Sequence, residues 1–200
     1  MADAPGPGPE RQFDDLTVPV LVAMAGLPGT GKSTIAQVLG ARLGASVVSV
    51  DPIEAAILEA GIDADQPTGL AAYLVAETMA EQALTSGRSV IVDAVNAVEP
   101  ARQQWRDLAE RVGVNLRFVE VVCSDPETHR QRLEKRARRL AGAPAVAGAE
   151  AASIAQRAVE QSVEVYDEWT GATDAVPRVT VDSFGPLGEN VEIALAFLAG

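Results

Sequence analysis

The sequence predicts an α/β fold, a parallel β-sheet with helices packed on both faces. Three observations predict it. From residue 18 onward, short apolar, β-branched runs alternate with stretches of helical apolar spacing. A glycine-rich run, Gly26 to Thr34, joins the first strand to the first helix. Two later strands give way to aspartates, Asp51 and Asp93. Parallel strands need crossover connections about as long as a helix, so this alternation implies a layered arrangement.

Each element follows from local pattern. Residues 1–16 carry Pro5-Gly6-Pro7-Gly8-Pro9 and few apolar groups, and read as a disordered tail before a single domain over 17–200. Strand one, 19–25, is an unbroken apolar run, as a buried parallel strand should be. The helix over 32–43 places Ile35, Val38, Leu39 and Leu43 on one side. Strand two, Ala45 to Val50, leads to a helix near 52–60. A loop from Gly61 to Gly69 precedes a long helix over 69–86, ended by Gly87. Strand three is Ser89 to Val92, and the helix near 99–112 carries Trp105 and Leu108. Strand four is Leu116 to Val122. An arginine-rich helix follows at 125–140, then an Ala/Gly/Pro stretch at 141–149 and a helix near 150–168. Strand five, Arg178 to Val181, and a helix over 187–199 close the pattern.

Composition excludes several classes of function. Of the 200 residues 48% are hydrophobic but only 4% aromatic, so the core is built from Ala, Val, Leu and Ile. The formal net charge of −12 argues against nucleic acid as a partner, because phosphate backbones favour basic surfaces. A single cysteine, Cys123, rules out an intrachain disulfide framework and fits a reducing cytoplasm. No run of eighteen apolar residues suggests a membrane span, and the acidic, Pro/Gly-rich start does not read as a signal peptide. A cytoplasmic monomer or homodimer is expected.

The run Gly26-Leu27-Pro28-Gly29-Thr30-Gly31-Lys32-Ser33-Thr34 fits the phosphate-loop pattern of glycine, four residues, then Gly-Lys-Ser/Thr. Its glycines allow main-chain N–H groups to turn inward around a polyphosphate. Lys32 supplies a compact ammonium and Ser33 a hydroxyl for Mg²⁺. The following helix points its positive end at the same anion. The chain has 14 arginines and only two lysines, Lys32 and Lys135, so a lysine here stands against the compositional bias. A planar guanidinium is a poor substitute for a point charge inside a tight ring of amides.

Ligands of parallel sheets sit at the carboxyl ends of strands, which directs attention to Asp51 and Asp93. Asp93 closes Val90-Ile91-Val92, the setting of a carboxylate that orients Mg²⁺. Asp51 has two readings. In Asp51-Pro52-Ile53-Glu54 it reads as an N-cap, with Pro52 first in the helix and Glu54 reaching back. It is equally placed to take a proton from an acceptor hydroxyl, although a carboxylate tied to backbone N–H groups is a poorer base. On the helix at 125–140, Arg132, Arg136 and Arg139 share a face at spacings of four and three, beside apolar Leu133, Ala137 and Leu140. Such a helix could close over a γ-phosphate as a lid of about 136–160, with Arg132 and Arg136 the candidates to reach it. The plainer reading is a solvated helix with Glu134 paired to Arg138.

With these residues in place, the chain resembles the P-loop kinases of the AAA-labelled ATP-binding predicted-kinase group. That group is related to zeta-toxin-type, chloramphenicol phosphotransferase-type and gluconate kinase-type enzymes. The resemblance rests on residues 26–34, on Val50-Asp51-Pro52, on Gln66 to Tyr73, on Val90 to Asn96, on Arg102 with Trp105, and on Cys123-Ser124-Asp125 with Arg130 to Arg136. It covers about residues 18–140, with an echo at Tyr166 to Trp169 and at Val181-Asp182. It implies a P-loop NTPase three-layer sandwich with a five-stranded parallel sheet in the order 2-3-1-4-5 and a helical lid. It also implies an ATP-dependent kinase for a small-molecule acceptor, such as a metabolite, sugar, nucleoside or antibiotic, and tips Asp51 toward catalytic base. Residues 141–165 depart from the pattern, being alanine-rich with Arg157 alone before the Tyr/Trp pair. The expected site is therefore Lys32, Asp51, Arg132 and Arg136 for catalysis, the whole 26–34 loop for ATP, and Ser33 with Asp93 for Mg²⁺. The rival expectation is a regulatory switch that hydrolyses ATP and has no acceptor.

Other residues are not assigned to the site. His129 is expected on a polar surface and Cys123 as a buried small hydrophobe. Tyr166 and Trp169 are expected to pack a helix. Asn96 and Arg102 have two equal readings, contacts to acceptor or phosphate, or an ordinary loop amide and a surface arginine.

Overall fold

The computed structural model describes residues 18–141, the last five as backbone alone, and 175–200. The expected tail, the helix near 150–168 and the lid beyond residue 141 lie outside the described residues. The elements run β1 (Val20–Ala25), α1 (Lys32–Leu43), β2 (Ser46–Ser49), α2 (Val50–Glu59), α3 (Thr68–Thr85) and β3 (Val90–Asp93). They continue with α4 (Glu99–Val112), β4 (Asn115–Val122), α5 (Pro126–Ala141), β5 (Arg178–Asp182) and α6 (Leu187–Ala199). The five strands pair in parallel in the order β2-β3-β1-β4-β5. This is a P-loop NTPase fold, a three-layer α/β/α sandwich.

Alternation along the strands sorts the core into two layers. Leu21 and Ala23 of β1, with Val90, Val92 and Phe118, face α3 and α4. There Ala72, Ala76 and Ala80 of α3 and Trp105 and Leu108 of α4 bury against the sheet. Val20, Val22 and Met24 face the other way, with Ile91, Val119 and Val121, onto Ile35 and Leu39 of α1 and Leu195 and Leu198 of α6. A central strand buried on both faces explains why β1 reads as an unbroken apolar run. No helix among the described residues is long and apolar enough to cross a membrane.

One boundary differs in a way that matters. β2 runs into α2 with no loop, so the helix starts at Val50 and Ser49 takes the N-cap position. Asp51 therefore lies inside the first turn and makes no capping bond, which removes the cap reading. Pro52 fits there because first-turn N–H groups have no intrahelical partner to lose. Glu54 does not reach back either. Its Oε1 accepts from Thr68 Oγ1 at 2.9 Å, tying α2 to the start of α3.

Candidate active site

The phosphate loop leaves the carboxyl end of β1 between its two neighbours, β3 and β4. Its path is held tightly. Gly26 has φ 127° and donates its N–H to Val95 O at 3.1 Å; a β-carbon there would lie 2.2 Å from Val121 O. Gly29, at φ 81°, would place a β-carbon 2.7 Å from Leu133 Cδ2 of α5. Both positions favour glycine by conformation, and at Gly26 the backbone of Val121 also leaves no space for a side chain. Among the described residues, no hydrogen bond takes the backbone N–H groups of Gly29, Gly31, Lys32 or Ser33. Four free donors around the positive end of α1 make an anion cradle.

Lys32 is buried, and its Nζ donates to Leu27 O at 2.9 Å across the loop. Burial lowers its pKa to about 8, against the opposing pull of Asp93 and Asp51. Ser33 is exposed at the loop's edge. Asp93 lies at the end of β3, is 7% exposed, and accepts from Ser49 Oγ of β2 at 3.2 Å. These residues line one cleft of about 650 Å³, together with Asp51, Pro52 and Ala55 of α2, Ala94 and Val95 after β3, Arg132, Lys135 and Arg136 of α5, and the loop after β5.

The helix α5 lies over the phosphate loop. Its His129 Nε2 is 2.7 Å from Pro28 O. Arg132 donates to Ser183 Oγ at 2.7 Å and Ser183 O at 3.0 Å, fastening the β5–α6 loop to the same spot. Arg136 crosses the cleft and forms an ion pair with Asp51. Arg130 instead points outward, paired with Glu127 and Glu134. Glu134 takes Arg130, and the side chain of Arg138, its expected partner, lies outside the described residues. Arg132 and Arg136, the two arginines singled out by spacing, both line the cleft.

The donor set suits Mg²⁺ chemically. Ser33 offers a hydroxyl and Asp93 a carboxylate on the same cleft. Among the described residues no group of three or more His, Cys, Asp or Glu could hold a metal ion. A cation bound by so few protein ligands must complete its shell with phosphate oxygens and water, which is the habit of Mg²⁺.

A family model described as an AAA domain matches residues 21–161. The chain belongs to the AAA domain family. Uncharacterized proteins of Mycobacterium bovis and Mycobacterium tuberculosis are 33% identical to this AAA domain chain over 115 residues. The match takes in 52% of the chain but spans only 23% of the length of those relatives. Solved structures repeat the fold. A sugar kinase from Janibacter aligns with TM-score 0.61 and 19% identity, covering 91% of this chain and 95% of its own. A gluconokinase from Sinorhizobium meliloti aligns at 0.57 and 20% identity, covering 90% and 92%. Chaetomium thermophilum Kti12, bound to ADP-AlF3, aligns at 0.65 and 18% identity, covering 90% and 100%.

Four residues of this AAA domain depart from their expected places. His129 is no surface histidine; it rests on the phosphate loop, because Leu133 one turn later packs onto Gly29. Cys123 is half-exposed rather than buried, beside Arg132 at 3.7 Å. Arg102 is 2% exposed and donates to Asn96 O at 3.3 Å and Ala97 O at 3.0 Å. Asn96 is fully buried at φ 49°; its Nδ2 donates to Met24 O at 2.6 Å and its Oδ1 accepts from Trp105 Nε1 at 2.8 Å. The available signal was the Asn96…Arg102…Trp105 spacing, which puts Arg102 and Trp105 at i, i+3 on α4 facing the segment after β3.

Proposed function

We propose that the chain is an ATP-dependent phosphotransferase that moves the γ-phosphoryl group to a hydroxyl of a small molecule. The observation that carries this reading is Asp51, a carboxylate that makes no cap bond and faces the phosphate loop across one cleft. A protein that only bound nucleotide would need no such group. In this reading the amides of Gly29, Gly31, Lys32 and Ser33 and the Lys32 ammonium bind the triphosphate and stabilise charge on the transferring group. Ser33 and Asp93 hold Mg²⁺, which supplies charge neutralisation at the phosphates. Arg132 and Arg136 bring positive charge from α5 and help exclude water. Asp51 takes the proton of the acceptor hydroxyl.

The Arg136–Asp51 ion pair favours a second reading. It occupies the proposed base, as in a switch protein whose helix latch responds to nucleotide. Assays of ADP release and product mass with Mg-ATP, run against sugars, nucleosides and aminocyclitols beside a no-acceptor control, separate the two. A phosphotransferase gives acceptor-dependent ADP, and Asp51→Asn lowers that rate by about 10²–10⁴-fold while ATP still binds. Acceptor-independent hydrolysis, unchanged in Asp51→Asn, would leave the switch.

A further inference from the structure

The charge map of the cleft narrows the chemistry of the acceptor. Residues 43–87 contain no lysine, arginine or histidine, yet carry seven carboxylates. That stretch builds all of α2, the loop after it and α3. Glu77 and Glu81 are matched by Arg111 of α4. The other five are Asp51, Glu54, Glu59, Asp63 and Asp65, on α2 and the following loop. Among the described residues, the one cation paired with any of these five is Arg136, on Asp51.

The helix α2 meets the cleft through Asp51, Pro52 and Ala55. Glu54, half-buried on the next turn, is fixed by the Thr68 hydroxyl and meets no cation among the described residues. Burial, and after it the charges of Asp51 and Glu54, push the Tyr73 phenol up to about 12, so both carboxylates are felt at this end of α3. The arginines that could have answered them from α4 are engaged elsewhere. Arg102 is bound to backbone carbonyls and Glu99, and Arg106 to Glu99. Among the described residues, the positive charge that lines the cleft is on the opposite wall, on Lys32, Arg132, Lys135 and Arg136, where a triphosphate would need it. When Arg136 turns to phosphate, no cation among the described residues is left to compensate the carboxylates of α2. An acid or phosphorylated acceptor would be repelled there, since like charges across an interface are costly.

We infer that the acceptor is a cationic polyhydroxyl compound, an amino sugar, aminocyclitol or amino alcohol, whose ammonium is met by Glu54 while its hydroxyl is presented to Asp51. This rests on the phosphotransferase reading. Residues three apart on a helix hold their β-carbons about 5–6 Å apart, a span that an amine and a hydroxyl on one ring can bridge. With ATP as donor, the hydroxyl oxygen bonds to the γ-phosphorus and the bond from that phosphorus to the β–γ bridging oxygen breaks. The proton passes to Asp51, and ADP leaves with the electron pair.

The test uses the full chain with Mg-ATP and acceptors in charge-matched sets: an amine, its neutral counterpart and its acid, as in glucosamine, glucose and glucuronate, repeated for cyclitols and simple alcohols. Product mass and ADP release are read. The expected result is kcat/KM about tenfold or more higher for an amine than for its neutral counterpart, which corresponds to about 1.4 kcal/mol. Acids should give no product, and KM for the amine should rise with salt. Glu54→Gln keeps an oxygen for the Thr68 bond, so it should fold normally while reducing the amine-to-neutral ratio about tenfold. An acid used as well as its amine, or a ratio unmoved in Glu54→Gln, overturns the inference and leaves the phosphotransferase standing. No product from any set, with calorimetry showing that Mg-ATP binds, removes both.

Discussion

The wall formed by the phosphate loop and α5 lines the cleft with Lys32, Arg132, Lys135 and Arg136, whereas α2 faces it with Asp51, Pro52 and Ala55 and has no cation of its own. The two walls also differ in construction. The first is made largely of backbone: glycines at positive φ, free N–H groups and a helix end. The second is made of side chains on α2 and the segment after β3. Backbone chemistry leaves a fixed signature in sequence because the backbone favours glycine where Gly26 and Gly29 lie. Side-chain chemistry leaves none until the helices are placed together. An anion cradle is thus readable at sight, and a cleft wall built from side chains only after folding.

The largest effect expected from breaking this contrast is at Lys32. Lys32→Ala should lower phosphoryl transfer roughly a thousandfold, with the fold intact by circular dichroism, because the charge at the centre of the amide ring is gone. Full turnover in that variant would remove the loop from the mechanism. Next is the buried support of the segment after β3. Arg102→Met should cost about 3 kcal/mol in urea unfolding, since Asn96 O and Ala97 O lose their buried donor.

A pH effect should separate the walls further. Lys32 has a pKa near 8 when the cleft is empty, against an ordinary 10.5. A triphosphate favours the ammonium, so above pH 8 binding must draw in a proton. Nucleotide affinity should then fall about thirtyfold between pH 7 and 9.5, with proton uptake visible as a buffer-dependent heat. Stability moves the opposite way. Between pH 8 and 10.5 the unfolded chain holds the proton more strongly, so this group alone makes the nucleotide-free protein more stable as pH rises. Affinity that is flat across the range would mean that Lys32 is not the group gripping phosphate.

The smallest effect is expected at Ser49. Ser49→Ala removes the bond that orients Asp93 and should raise the Mg²⁺ concentration for half-maximal rate about fivefold, equivalent to about 1 kcal/mol, while kcat at saturating Mg²⁺ stays near normal. A change in kcat with no change in Mg²⁺ demand would argue that Asp93 does something else.

Most of the fold was legible because apolar strand runs alternate with helical spacing, and Gly87 marks the end of the long helix; the left-handed caps at Gly44 and Gly113 show only in the structure. The strand order came from resemblance alone, since no local pattern encodes which strands lie side by side. Asp51 was legible as important but not as to role. Its sequence, Asp-Pro-Ile-Glu, satisfies every local rule for a cap, and only the absence of a loop between β2 and α2 moved it into the first turn. His129 and Arg102 were misplaced for a shared reason. A polar residue in a helix reads as solvent-facing unless something covers it, and the covering pieces, Pro28 and the 96–97 carbonyls, are distant in sequence or irregular in backbone.

Asn96 gathers Met24 at the end of β1, the Tyr73 phenol of α3, and the indole and guanidinium of α4. It is the pin on which the nucleotide end of one strand and the opposite rim of the chamber are mounted together. Few residues could replace it. Glycine shares its backbone preference but brings no amide, aspartate would set a charge against a carbonyl, and larger side chains avoid that left-handed turn. The spacing between the end of β1 and the start of α4 is therefore set by a residue that lines neither wall of the cleft, and drift at this position would shift both at once.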